Sequence, residues 1–324
     1  MLVSVLLFAV GLVLLIKGGD WFVDGATGIA KRFNLPDIVV GATVVSIGTT
    51  LPEVMVSTTG ALAGSGAMAY GNAIGSIICN TALIAAISIT CNPGPVNVKS
   101  MKTPAIFFFG AAAMYCLAAY GLGTFPQWLG FVMLAIFVVY MVLTVRNGMK
   151  NPDAVEEEEE EDSKPKALWK ELLGLVVGAA VIAVGADLLV EHGQVIAIGL
   201  GVPETVVALL FVALGTSLPE LVTTITSLKK GRASLGVGNV IGANVFNLVL
   251  VSGVAVSLAP FDVPCENLLL DTGMNLSLVF DIPVMLAVMS LMIFPAMATK
   301  KLGRWQGIAL LCIYIAFCVC QFML

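Results

Sequence analysis

One phrase occurs twice in this chain: GATVVSIGTTLPE at Gly41 to Glu53 returns as VALLFVALGTSLPE ending at Glu220. Each copy sets a lone glutamate and a proline inside an apolar stretch long enough to cross a bilayer, where an unpaired charge costs roughly 3 kcal/mol or more. The duplication reaches beyond the phrase at one constant offset of 167 residues, which pairs Pro36 with Pro203, Gly48 with Gly215, Pro52 with Pro219 and Glu53 with Glu220. The same offset pairs Asp20 with Asp187, Asp24 with Glu191, and GNAIGS at 71–76 with GNVIGA at 238–243. A register held across three successive segments marks an internal repeat. The two halves must therefore share one fold.

Composition says where that fold lives. With 59% hydrophobic and only 11% charged residues, the chain lies far outside the soluble range. Apolar segments of spanning length fall near 2–30, 39–62, 69–90, 104–122 and 127–145, then near 171–197, 204–228, 235–258, 277–297 and 305–323. The expected fold is an all-α integral membrane protein of about ten transmembrane helices, multi-pass in the cell membrane. The first segment lacks the basic start and small-residue cleavage site of a signal peptide and belongs to the repeat.

Of the 16 Lys and Arg, all but Lys17 fall in alternate connections: Lys31 and Arg32, Lys99 and Lys102, Arg146 to Lys170, Lys229 to Arg232, and Lys300 to Arg304. By the positive-inside rule those connections are cytoplasmic, which places both termini outside. An odd number of helices per repeat then inserts the second repeat upside down, the inverted arrangement of secondary transporters. The domains expected are repeat 1 over 1–145, a cytoplasmic acidic linker over 146–170, and repeat 2 over 171–324. The net charge of −5 comes largely from the linker run Glu156 to Asp162, read as a solvated spacer. The seven cysteines lack metal-ligand spacing and imply no disulfide.

Chemistry concentrates on the second, third, seventh and eighth segments. Ser46, Thr49, Thr50 and Glu53 recur at i, i+3, i+4 and i+7, so hydroxyls and carboxylate share a helix face. Pro52 has no N–H for the carbonyl of Gly48, and its ring crowds that carbonyl, so the helix is expected to open there. The second copy repeats the device with Ala213, Thr216, Ser217 and Glu220, and Pro219 set against Gly215. Irregular backbone at membrane depth is tolerated only where it lines a cavity or is buried in protein. Freed carbonyls, hydroxyls and carboxylates make an all-oxygen set suited to hard cations. A polar stripe of Asn72, Ser76 and Asn80 faces it from the third segment, matched by Asn239, Ala243 and Asn247 on the eighth. The glycines of GNAIG and GNVIG would let these segments pack closely on the glutamate segments, and inversion then brings Glu53 and Glu220 together.

On these motifs, and over essentially the whole chain, the sequence resembles the sodium/calcium exchanger family of the cation/Ca²⁺ antiporter superfamily, in its prokaryotic form. The family's two repeat motifs would lie at 39–90 and 206–257, with GTTLPE and GTSLPE as the specific signatures. The resemblance implies a Na⁺/Ca²⁺ antiporter that is not an enzyme, needs no cofactor, binds no nucleic acid and works by alternating access. It implies Glu53 and Glu220 as central Ca²⁺ ligands shared with Na⁺. Thr49, Thr50, Thr216 and Ser217 would add oxygens, as would the backbone carbonyls of Ser46 and Ala213, and Ser76, Asn80 and Asn247 would complete the flanking sites. Two departures stand out: Ala243 where some relatives have Ser, and Asn247 where the potassium-dependent branch and others have Asp. Two carboxylates neutralise one Ca²⁺ or two Na⁺, so a third Na⁺ would make exchange electrogenic.

Two rival readings remain at this level. In a Ca²⁺/H⁺ antiporter the paired glutamates would carry protons, but that branch places an acid and a His after the GN dipeptide, where this chain has Gly75 and Ser76, then Gly242 and Ala243. A cation channel would use similar oxygen ligands, but not two inverted halves with prolines at a central site. No nucleophile and base pair or cofactor loop points to an enzyme. The sequence does not set the oligomeric state, and a monomer is compatible with it. Lys17, Asp20 and Asp24 on the first segment, with Asp187 and Glu191 on the sixth, read as ion pairs or snorkelling groups near helix ends.

Overall fold

The computed structural model describes residues 2–150, 167–200, 215–264, 268–269 and 274–323. Most of the acidic linker, Ala213, Pro203, Cys265 and the first half of the 204–228 segment lie outside the described residues. The helices are α1 (Leu2–Phe33), α2 (Asp37–Thr49), α3 (Leu51–Leu62), α4 (Gly66–Cys91), α5 (Val98–Leu122), α6 (Gln127–Met149), α7 (Leu168–Gly199), α8 (Leu218–Lys229), α9 (Ala233–Leu258), α10 (Ser277–Thr299) and α11 (Arg304–Met323). Among the described residues eight helices are long and apolar enough to cross a membrane, and α2 with α3 make a ninth span bent by 46°. A tenth, expected over 204–228, is described only from Gly215 onward, where α8 begins three residues later.

Burial separates two classes of helix. The spanning windows of α4 and α9 are 72% and 89% buried, against 22% for α1 and for α7. The helices that carry the asparagine stripes thus form the centre, while α1 and α7 turn Leu6, Val13, Val176 and Val184 outward toward lipid.

The duplication is visible in backbone detail. Gly64 and Gly231, which the 167-residue offset matches, have φ of +84° and +73° and end α3 and α8 in the same way. Ser65 N–H bonds Gly60 O and Gly64 N–H bonds Ala61 O, while Arg232 N–H bonds Ser227 O and Gly231 N–H bonds Leu228 O. This is a Schellman cap, whose left-handed residue favours glycine. Counterpart helices α1 and α7 run antiparallel: Gly11 meets Gly185, Gly18 meets Ile182, and Gly25 meets Glu171 and Leu175. That is the relation inversion requires.

Short two-stranded ladders tie the connections together. β1 (Gly94–Pro95) pairs with β6 (Lys301–Leu302), and β2 (Thr124–Phe125) pairs with β3 (Phe261–Asp262); β4 (Leu268–Leu269) and β5 (Met274–Asn275) form a local hairpin. The first ladder joins two basic connections, and the second joins two connections without Lys or Arg. Each ladder therefore links loops that the charge pattern assigns to one membrane face.

Candidate functional site

Pro52 breaks the second span as its chemistry dictates, with the interruption at Thr50. That residue has φ −86° and ψ −1°, and Ser217, its partner in the repeat, has φ −90° and ψ 4° before Pro219. Both sit in the bridge region that turns and functional sites use. Gly48 lies against this break because a Cβ there would come within 2.8 Å of Phe22 on α1, and a Cβ at Gly215 within 2.9 Å of Val190 on α7. The broken turns thus press on the two outer helices.

A second irregularity sits on α4 and α9. Each widens to a π turn that starts at the stripe asparagine, over Asn80–Ala85 and Asn247–Val251, and a third π turn covers Gly41–Val45 just before Ser46. Such wide turns cost regular hydrogen bonding and recur at functional sites. Hydroxyls fill two of the resulting gaps: Ser46 Oγ donates to Gly41 O at 2.8 Å and Ser252 Oγ to Asn247 O at 2.9 Å. These turns carry no sequence signature, since π widening leaves the apolar periodicity nearly unchanged over five or six residues.

Glu53, Glu220, Thr50, Asn80 and Asn247 are wholly buried, and Ser46, Thr49, Ser76 and Ser217 are buried to within 3%. Thr50 Oγ1 donates to Glu220 Oε1 at 3.5 Å, joining the broken turn of one repeat to the glutamate of the other. Thr49 Oγ1 donates to Asn239 Oδ1 at 3.1 Å, and Thr216 Oγ1 donates to Asn72 Oδ1 at 3.4 Å. Those two bonds are counterparts under the offset. Around them stand buried polar atoms without hydrogen-bond partners among the described residues: both oxygens of Glu53, Oε2 of Glu220, Oγ of Ser217, and both amide atoms of Asn80 and of Asn247. Native proteins leave few such atoms, each at about 1–3 kcal/mol. Among the described residues no cluster of three or more His, Cys, Asp or Glu forms, so a cation in this space would meet two carboxylates and neutral oxygens.

The expected close packing by the GN glycines holds for one copy. A Cβ at Gly238 would lie 2.3 Å from the Ile38 carbonyl oxygen, and one at Gly242 would lie 2.4 Å from Ser46 Oγ. Gly71 and Gly75 meet nothing within 4 Å among the described residues; the counterparts of Ile38 and Ala42, residues 205 and 209, lie outside them. Asp20 and Asp24 serve ion pairing: Lys230 Nζ lies 2.6 Å from Asp24 Oδ1 and 3.7 Å from Asp20 Oδ1. Asn244 was not anticipated. Its Nδ2 donates to Thr81 Oγ1 at 2.7 Å in the centre of the bundle, and its counterpart in the first repeat is Ile77, so a search guided by the repeat passes it over.

The family model described as sodium/calcium exchanger protein matches residues 3–146 and 170–323, nearly the entire chain. The chain belongs to the sodium/calcium exchanger family. This exchanger is 34% identical over 308 residues to the uncharacterized membrane protein MJ0091 of Methanocaldococcus jannaschii, covering 95% of this chain and 94% of that one. It is 28% identical to the sodium/calcium exchanger MaX1 of Methanosarcina acetivorans, over 99% of both chains. Among solved structures, the sodium-calcium exchanger NCX_Mj soaked with Na⁺ and Sr²⁺ superposes with a TM-score of 0.78 at 32% identity, over 97% of each chain. The exchanger is accordingly an all-helical, multi-pass membrane transporter and not an enzyme.

Proposed function

We propose that this protein exchanges Na⁺ for Ca²⁺ by alternating access through one shared site centred on Glu53 and Glu220. The observation that carries the reading is the group of unpartnered, membrane-buried polar atoms on Glu53, Glu220, Ser217, Asn80 and Asn247. Their desolvation is offset when a hard cation supplies the missing interactions. The proposed ligands are the Glu53 and Glu220 carboxylates, oxygens of Thr49, Thr50, Thr216 and Ser217, the backbone carbonyls of Ser46 and Ala213, and the side chains of Ser76, Asn80 and Asn247. Repeat 1 over 1–145 and repeat 2 over 171–324, joined by the 146–170 linker, each supply one glutamate.

Charge sets the coupling. With Asn at 80 and 247, the site carries two negative charges, which one Ca²⁺ balances and three Na⁺ exceed by one. Exchange of three Na⁺ for one Ca²⁺ moves one net charge, worth about 2.3 kcal/mol per 100 mV. Inward Na⁺ then drives Ca²⁺ out.

The test is ⁴⁵Ca²⁺ uptake into Na⁺-loaded proteoliposomes, with an imposed membrane potential and a matched pH gradient as separate arms. The expected outcome is uptake driven by Na⁺, sensitive to potential, and lost in Glu53→Gln and Glu220→Gln. Uptake driven by the pH gradient alone would put the protein in the proton-coupled branch. Uptake without a counter-ion would make it a channel.

A further inference from the structure

Asn72 and Asn239 occupy the same place in their repeats, and each reaches across to the other repeat's broken turn. Asn239 Oδ1 accepts from Thr49 Oγ1 at 3.1 Å, and Ser46 Oγ, whose proton goes to Gly41 O, lies 3.2 Å from Asn239 Oδ1 and 3.0 Å from its backbone oxygen. Asn72 Oδ1 accepts from Thr216 Oγ1 at 3.4 Å. Its Nδ2 donates to Ser57 Oγ at 2.8 Å and to the backbone oxygen of Glu53 at 3.3 Å. A backbone carbonyl only accepts, so the amide nitrogen of Asn72 must face Glu53 and its oxygen must face Thr216. At Asn239 the oxygen likewise faces the opposite threonine, while its amide nitrogen has no hydrogen-bond partner among the described residues.

The turns held in this way lack part of the regular helical hydrogen bonding. Pro52 and Pro219 each withhold an N–H from the turn before them, and Thr50 and Ser217 both stand outside helical geometry. A cation site needs its oxygens at fixed separations, because an oxygen that drifts outward by half an ångström loses most of its share of the coordination. The broken turn cannot supply that rigidity through its own hydrogen bonds.

We propose that Asn72 and Asn239 are positioning residues that clamp the broken turns, each asparagine holding the threonine of the opposite repeat so that the ligating oxygens keep their spacing. The clamp rests on the reading of these turns as ion ligands. Because both bonds cross between repeats, the complete ligand set exists only while the two halves are docked. Asn239 holds the Thr49 hydroxyl through its oxygen, whereas Asn72 holds the Thr216 hydroxyl through its oxygen and reaches Ser57 and the carbonyl of Glu53 through its nitrogen. The two halves of the site are thus braced by different means at equivalent positions.

A double-mutant cycle separates the clamp from general stabilisation. The variants are Asn239→Leu, the near-isosteric Thr49→Val, and both together, each reconstituted and measured for the Ca²⁺ concentration that half-saturates Na⁺-driven uptake. Each single change is expected to raise that concentration about tenfold, the equivalent of one lost hydrogen bond, and the double change to raise it by the same factor, not by its square. Asn72→Leu with Thr216→Val should repeat the pattern, which keeps the test alive should Asn239→Leu fail to fold. Multiplicative losses in both cycles, or singles with unchanged half-saturation, overturn the clamp. Na⁺-driven uptake that survives Glu53→Gln removes the two-glutamate site instead, and the clamp with it.

Discussion

Ser217 and Ser57 are both buried hydroxyls beside a proline break, but they stand in opposite relations to the protein. Ser57 Oγ accepts from Asn72 at 2.8 Å, while Ser217 Oγ has no partner among the described residues. Ser57→Ala should therefore lower thermal stability by about 1 kcal/mol, the usual worth of one hydrogen bond. Ser217→Ala should leave the ion-free protein as stable or slightly more so, because an unsatisfied polar group is removed, and should weaken Na⁺ and Ca²⁺ binding. Thermal unfolding with and without Ca²⁺ reads both effects. A ligand that binds only the folded state raises stability by about 2.7 kcal/mol at a hundred times its dissociation constant. That increment should vanish in Glu53→Gln, and its persistence would place Ca²⁺ elsewhere.

At the scale of the element, the outer helices α1 and α7 meet through small residues. A Cβ at Gly11 would sit 2.9 Å from the Gly185 carbonyl oxygen, and one at Gly185 would sit 2.9 Å from Leu15 N. Glycine faces let backbones approach closely, so the two helices pack tightly against one another. Gly185→Val is expected to separate the pair and slow Ca²⁺ flux at saturating ions while half-saturation stays near wild type; a changed half-saturation with unchanged maximal flux would refute this. The glutamates, prolines and stripe asparagines were legible in the sequence because charge and helix breakers are conspicuous in apolar segments, and the repeat doubled each signal. The opposite sense of α1 and α7 followed from loop charge and an odd helix count, whereas their direct contact did not. The π turns at Asn80 and Asn247, the Asn244–Thr81 bond and the ladders between loops were not legible, because they depend on which helices become neighbours. The Asn72 and Asn239 bonds lie between these cases: the stripe was evident, but that its oxygens would pair with threonines of the opposite repeat was not.

Over the whole molecule, inverted halves would make the two access states mirror one another, and ion pairs break that equivalence. Arg232 holds Asp37 through both carboxylate oxygens at 2.9 Å, Arg32 meets Glu171 at 3.4 Å, and Lys230 meets Asp24 at 2.6 Å. These pairs fasten the start of α2, α7 and α9 and the C-terminal turns of α1 together at the basic face. The positions related to the three cations by the repeat are Ser65, Gly199 and Ala63, so among the described residues these three pairs have no counterpart at the other face. The same positive-inside bias that orients the chain is therefore expected to weight its conformational equilibrium toward the state closed at the basic face. Next to the Arg232–Asp37 pair lies a cavity of about 260 Å³ lined in part by Ile38, Ser88 and Val237. Removing one partner of a well-buried pair costs about 3–5 kcal/mol in the state that contains it, enough to invert a two-state bias of ordinary size. Asp37→Asn and Arg232→Gln should each increase labelling of Val237→Cys, in a cysteine-free background, by a charged thiol reagent applied from the basic side, and the combined change should add little. Labelling equal to that of the parent would mean that the pair fastens helices without biasing access.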